Sequence, residues 1–188
     1  MDAKPPTVVI DVVLERQTAK EVLRALLHAI LFHRLLGTVK PQTSLVLDVT
    51  LPAVKDPEIE QLVDEKVNVF WRAVEKGRQQ RGQIILTMAE KRQKKWTVTQ
   101  IFSPVEEEVA WEEWVINAEI RQLHTERDRQ TLNTNLSTAL TDALRKILTH
   151  TSSERGRAVV PLITNPFNGL SPFPINICVK VAGTEVVA

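Results

Sequence analysis

The chain is 188 residues long and 43 % apolar, with 24 basic against 23 acidic residues and a formal net charge of +1. That size fits one domain with a real core, and the charge balance argues against a dedicated nucleic-acid binder, which needs a surplus of Lys and Arg facing phosphates. Cys178 is the single cysteine, which excludes an intrachain disulfide and makes a reducing compartment the default, although a secreted cysteine-poor protein would look the same.

Thr7 to Leu14 is dense in β-branched residues and predicts a strand, with Val8, Ile10, Val12 and Leu14 on one face. From Thr18 to Leu36 the apolar period becomes helical. Only Glu21, Arg24 and His28 leave a narrow polar stripe, so the spacing predicts a central helix packed on several sides, with Gly37 as its stop. The same stretch is interrupted by Arg24, His28, His33 and Arg34, which makes it too polar to span a bilayer. Met1 to Pro6 is short and charged and does not read as a secretory signal.

Leu45, Leu47, Val49 and Leu51 alternate with polar or smaller residues and predict one strand with a buried face. Asp56 and Pro57 are the cap and first residue of a second helix, whose stripe is Ile59, Leu62, Val63, Val67, Phe70, Ala73 and Val74, closed by Gly77. Trp71 falls beside that stripe. Gln83–Ala89 and Lys95–Ile101 read as two strands joined by a polar turn, Glu90 to Lys94. A longer strand runs from about Val109 to Ile120. Trp111 and Trp114 have opposite parity there, so a bend or bulge near Glu112–Glu113 is expected if both enter the core.

The third helix opens at Thr125, with Asp128 as capping-box partner, and carries Leu132, Leu136, Ala139, Leu140, Ala143, Leu144, Ile147 and Leu148. Thr151 to Pro174 holds four prolines and no regular period, and reads as a long loop. Phe173, Ile175, Ile177, Val179 and Val181 make a last strand. Three helices among six or so strands, without strict βαβ alternation, indicate an α+β domain.

Residues that might carry chemistry are sparse. His28 and His33 are five apart, about 140° around a helix, where a metal pair needs a spacing of three or four. His28 is expected on the polar stripe, with His33 and Arg34 bonding the helix end or its neighbours. Cys178 has nothing nearby to activate it. There is no phosphate loop or nucleophile elbow, and Glu106–Glu108 lacks the partners of a two-carboxylate mechanism. No catalytic residue, cofactor or metal is expected. Lys91, Arg92, Lys94 and Lys95 precede Trp96. The run reads either as an ordinary charged turn or as a contact for a protein, a membrane or single-stranded nucleic acid.

Several runs resemble the autophagy-related protein 101 family. They are Leu26 to Arg34 closed by Gly37, Lys91 to Trp96, Trp111-Glu112-Glu113-Trp114, Thr125-Glu126 with Arg129-Gln130, and the strand around Ile175 to Val181. The likeness covers nearly the whole chain, and order and spacing carry it more than any one motif. It implies a HORMA-like fold, three helices on a mainly antiparallel sheet, as one domain over 1–188. Residues 151–174 would be the long loop of its safety-belt region, and 175–188 that region's strand and tail. It implies a non-enzymatic scaffold in the cytoplasm and at the preautophagosomal structure. The implied partner is the HORMA domain of autophagy-related protein 13, within the autophagy-initiation kinase complex, with no nucleic acid and no integral membrane segment.

One face of the third helix, with Asn133, Asn135 and Thr138 off its buried stripe, is the expected partner contact. Some members recruit further factors through a Trp–Phe finger. Trp96 matches its tryptophan, but Val98 stands where phenylalanine would be, and Phe102 is the nearest aromatic. The alternative within the same fold is an adaptor that binds a short peptide through its belt.

Overall fold

The computed structural model describes residues 4–93, 106–164, 167 and 169–186. Strand β1 (Thr7–Glu15) leads into helix α1 (Ala19–Arg34), then the hairpin β2 (Pro41–Val46) and β3 (Val49–Val54). Helix α2 (Pro57–Gly77), strands β4 (Arg81–Gln93) and β5 (Glu106–Arg121), and helix α3 (Glu126–Ser152) follow. A short helix α4 (Glu154–Ala158) and strands β6 (Ile175–Val181) and β7 (Thr184–Val186) complete the order. The main sheet runs β1-β5-β4-β6-β7, with β1 and β5 parallel and every other pair antiparallel. The architecture is α+β, with α1, α2 and α3 over one sheet face, as a HORMA-like layout requires.

The core follows the periodicities. Val8, Ile10, Val12 and Leu14 of β1 point under the helices with Trp114, Ile116 and Ala118 of β5 and Ile84 and Leu86 of β4. α1 is buried on most sides, from Val22 and Leu23 to Ile30 and Leu31, because it touches β1, β2, β3, α2 and α3. The other sheet face carries a polar ladder. The Asn117 amide donates to Asp11 at 2.7 Å, and the Gln83 amide donates to Asn117 at 2.8 Å. Among the described residues no helix is long and apolar enough to cross a membrane.

The predicted caps are present. The Asp56 carboxylate accepts from the Glu58 and Ile59 N–H groups at 3.0 and 3.2 Å, and the Thr125 hydroxyl accepts from Asp128 N–H at 3.1 Å. The bulge lies at Trp111: Met88 faces Glu112 and Ala89 faces Ala110, which leaves Trp111 as the extra residue. Both tryptophans thereby reach the interior.

Other expectations need correction. The alternation from Leu45 to Leu51 is two strands of a hairpin, turned at Leu47–Asp48 with Leu47 at φ 54°. Alternation looks the same whether a strand continues or folds back, and a leucine rather than glycine at the left-handed position hid the turn. Leu51 is buried, but Leu45 is 65 % exposed and Leu47 37 %. Glu90 to Gln93 is strand rather than turn. β4 continues there because Lys91 and Arg92 fall opposite Glu108 and Glu107 of β5 in the ladder, and the basic end meets the acidic run, with Lys91 3.8 Å from Glu106. The proposed strand Lys95–Ile101, with Trp96, Val98 and Phe102, lies outside the described residues. The segment after Thr151 is not all loop, since α3 reaches Ser152 and Ser153 caps α4 by accepting from Gly156 N–H at 2.9 Å. β7 was missed, although Ala182 and Gly183, both at positive φ, make the two-residue hairpin turn before it.

Neither expected stop glycine takes the left-handed position. At the end of α1 that role falls to Leu36 (φ 61°), and after α2 to Arg78 (φ 48°). Gly37 is needed for a close approach instead: a Cβ there would lie 2.2 Å from the Gly169 carbonyl oxygen, and Thr38 N–H donates to the same oxygen at 3.0 Å. Gly37→Ala is therefore expected to lower stability by about 1–3 kcal/mol, the usual cost of overpacking, in a urea titration. An unchanged midpoint would show that the Gly169 segment can move away freely.

Candidate partner-binding surface

Helix α3 is the longest element, and two sets of contacts fix which side it shows. Leu132, Leu136, Leu140, Ala143 and Ile147 are buried along one stripe. At about 100° per residue, Leu148 stands roughly 160° round from Leu132, so it cannot share that stripe. It is 45 % exposed, which corrects its placement among the buried residues.

The C-terminal half of α3 is anchored by a buried ion pair. Glu112 is fully enclosed, and the Arg34 guanidinium grips it with two bonds, from Nε at 2.7 Å and from a terminal nitrogen at 2.6 Å. The Trp114 indole N–H donates to Glu112 at 2.7 Å, and His150 Nε2 of α3 lies 2.6 Å from it. Arg34 also donates to the Gly156 carbonyl at 2.9 Å. This cluster joins α1, β5, α3 and α4, so α3 can neither roll nor slide without exposing charge. The expectation that Arg34 bonds a neighbour holds. His33 behaves otherwise, because its Nε2 is buried with no partner among the described residues.

The outward stripe of α3 is Thr134, Thr138, Thr141, Arg145 and Leu148. The three threonine hydroxyls donate back to carbonyls four residues earlier, at 3.0, 3.2 and 3.0 Å. With those bonds made internally, the methyl groups can be covered by a partner without stranding a donor. Beside them runs a groove of about 440 Å³, lined by Thr138, Thr141 and Arg145 and by Asp48, Val49 and Thr50 of the hairpin. The Ser137 hydroxyl donates to Asp48 and closes the floor. Leu45 and Leu47 stand exposed on the same hairpin.

Of the three residues singled out by sequence, Thr138 lies in this stripe. Asn133 and Asn135 lie one position to either side of Thr134, about 100° away. Asn135 is exposed, whereas Asn133 is half-buried and its Oδ1 is enclosed without a partner among the described residues. Leu45, Leu47 and Leu148 were missed because each was assigned to a core face. Trp96 and Phe102 lie outside the described residues.

The histidines of α1 face inward. His28 Nδ1 accepts from the Val54 N–H at 3.4 Å. Burial, the largest cause, pulls its pKa below the ordinary 6.5 despite Glu60 and Asp64, and burial with Arg34 does the same for His33. As pH falls, the unfolded chain takes up these protons before the folded one. The stability that the neutral rings contribute is thus complete above about pH 6.5 and lost below it. The urea midpoint is expected to rise with pH across that range, and His28→Gln to flatten the rise. A flat wild-type profile would contradict this. Burial and then Glu185 push the Cys178 thiol up, which disfavours the reactive thiolate.

The family model described as Autophagy-related protein 101 matches residues 11–166. Over 107 residues the chain is 34 % identical to the Autophagy-related protein 101 of Arabidopsis thaliana, covering 55 % of this chain and 47 % of that protein. Over 115 residues it is 32 % identical to that of Schizosaccharomyces pombe, covering 61 % and 59 % respectively. The chain thus spans about half the length of these curated relatives. The family match runs from β1 through α4 and takes in both sides of the α3 groove. The chain belongs to the autophagy-related protein 101 family.

Proposed function

We propose that this chain is a non-enzymatic scaffold subunit of the autophagy-initiation kinase complex that pairs with and stabilises the HORMA domain of autophagy-related protein 13. It acts in the cytoplasm and at the preautophagosomal structure, and residues 1–188 form one HORMA-like domain. Family membership supports the autophagy role. The observation that carries the pairing is the surface shared by α3 and the hairpin. Leu148 continues a ridge of threonines whose hydroxyls are already bonded, and Leu45 and Leu47 are exposed on the hairpin that lines the adjoining groove, while the Arg34–Glu112 pair and the core hold α3 in place. A rigid, partly apolar surface with satisfied polar groups loses little on association. Thr138 and Asn135 belong to the contact, with Asn133 at its margin. Co-expression with the HORMA domain of autophagy-related protein 13 from the same organism tests this. A stoichiometric complex on gel filtration is expected, and two separately eluting proteins would overturn it.

A second reading, an adaptor taking a short peptide through its C-terminal belt, draws on a different patch. Leu162 and Ile163 are 88 % and 51 % exposed beside the cleft that also holds Glu90, Glu106 and Glu108. That mechanism requires two interconverting belt conformers, visible as doubled amide resonances for β6. A single set favours the pairing subunit.

A further inference from the structure

A second cleft, of about 230 Å³, opens where α2 ends, beside the ends of β1 and β5, and shares no residue with the groove on α3. Three arginines line it: Arg16, Arg78 and Arg121. Trp71, Val74 and Ile120 give it an apolar wall, and Glu75 is its one acid. Arg16 and Lys20 sit over the Trp71 ring, 5.4 and 5.8 Å from its centroid, so the indole that fell beside the helix stripe organises cations instead.

The arginines are not equivalent. Arg16 is paired with Glu75, and Arg121 with Glu119 at 2.8 Å. Arg78 is exposed and has no acidic partner among the described residues. It also occupies the left-handed cap of α2, at φ 48° and ψ 29°, with its N–H on the Glu75 and Val74 carbonyls. A helix end ordinarily gives that conformation to glycine or asparagine. Gly77 stands immediately before it, inside the helix. An exposed arginine without an acidic partner among the described residues, at the mouth of a cleft that two further arginines line, offers a guanidinium to an anion.

From this arrangement we infer that the cleft binds a phosphorylated segment of a protein partner, with Arg78 gripping the phosphoryl group. A carboxylate brings one charge and two oxygens, and Arg16 and Arg121 already share internal carboxylates. A phosphoryl group brings nearly two charges and three acceptor oxygens, enough for a bidentate bond to Arg78 and further bonds to its neighbours. The recess and its apolar wall suit a peptide side chain and its flanking residues. A membrane presents a broad flat surface, whereas this recess of about 230 Å³ has room for a side chain.

Four probes test this by anisotropy or competition: a labelled peptide mixture carrying one phosphothreonine between randomised residues, its unphosphorylated twin, inorganic phosphate, and phosphatidylcholine–phosphatidylserine vesicles. The phosphorylated mixture is expected to bind about tenfold tighter than its twin, as charge-assisted bonds imply. Inorganic phosphate should compete. Arg78→Gly should abolish the preference while its thermal midpoint stays level or rises, because glycine accepts the left-handed cap. Equal binding of the two mixtures, a preference that survives Arg78→Gly, or vesicle binding that outcompetes the phosphopeptides would each overturn the proposal.

Discussion

Glu112→Gln is expected to lower the free energy of unfolding by about 3–5 kcal/mol, because it leaves the Arg34 charge buried with no counter-charge. The glutamine keeps the shape of the carboxylate and can still accept from the Trp114 indole, so the substitution isolates charge from volume. That loss is a large share of the roughly 5–15 kcal/mol that holds a domain of this kind together. The double variant Arg34→Met with Glu112→Leu should recover much of the loss, since it buries neither charge. Chemical denaturation of the wild type, Arg34→Met, Glu112→Leu and the double variant measures the coupling. Additive effects of the two single substitutions would mean that the pair is not the anchor of the α3 C-terminus.

Leu45→Asp combined with Leu148→Asp is expected to weaken the proposed pairing at least about 100-fold, as loss of central apolar anchors does. The monomer should keep its thermal midpoint, because both side chains are largely exposed, at 65 % and 45 %. Thr138→Glu places charge on the groove that α3 shares with the hairpin and should act in the same direction with a smaller effect. Binding of the double variant at wild-type strength would remove this surface from the interface, whatever the partner.

The parts that could be read from sequence are those where a buried stripe enforces a period. α1, α2 and α3, their caps at Asp56 and Thr125, and β1 and β6 all follow from that rule. The two tryptophans three apart forecast a bulge, which appears at Trp111. What escaped depends on contacts distant in the chain. Arg34 and Glu112 are 78 positions apart, and neither residue's neighbours reveal that the two meet inside the protein. The β2–β3 turn carries a leucine in a glycine-type conformation, and the extension of β4 appears only when Lys91 and Arg92 are set against Glu108 and Glu107. The same limit hid the candidate interface. Leu45, Leu47 and Leu148 look like core residues by pattern, and only the folded arrangement shows them outside.

If the chain works through the surface it presents, amide hydrogen exchange in a complex with the HORMA domain of autophagy-related protein 13 should slow across the β2–β3 hairpin and the middle of α3. Exchange around Arg78 and the open sheet face should stay unchanged. Slowing confined to other elements, with Leu45, Leu47 and the Thr134 to Leu148 stripe exchanging as in the free chain, would contradict the account.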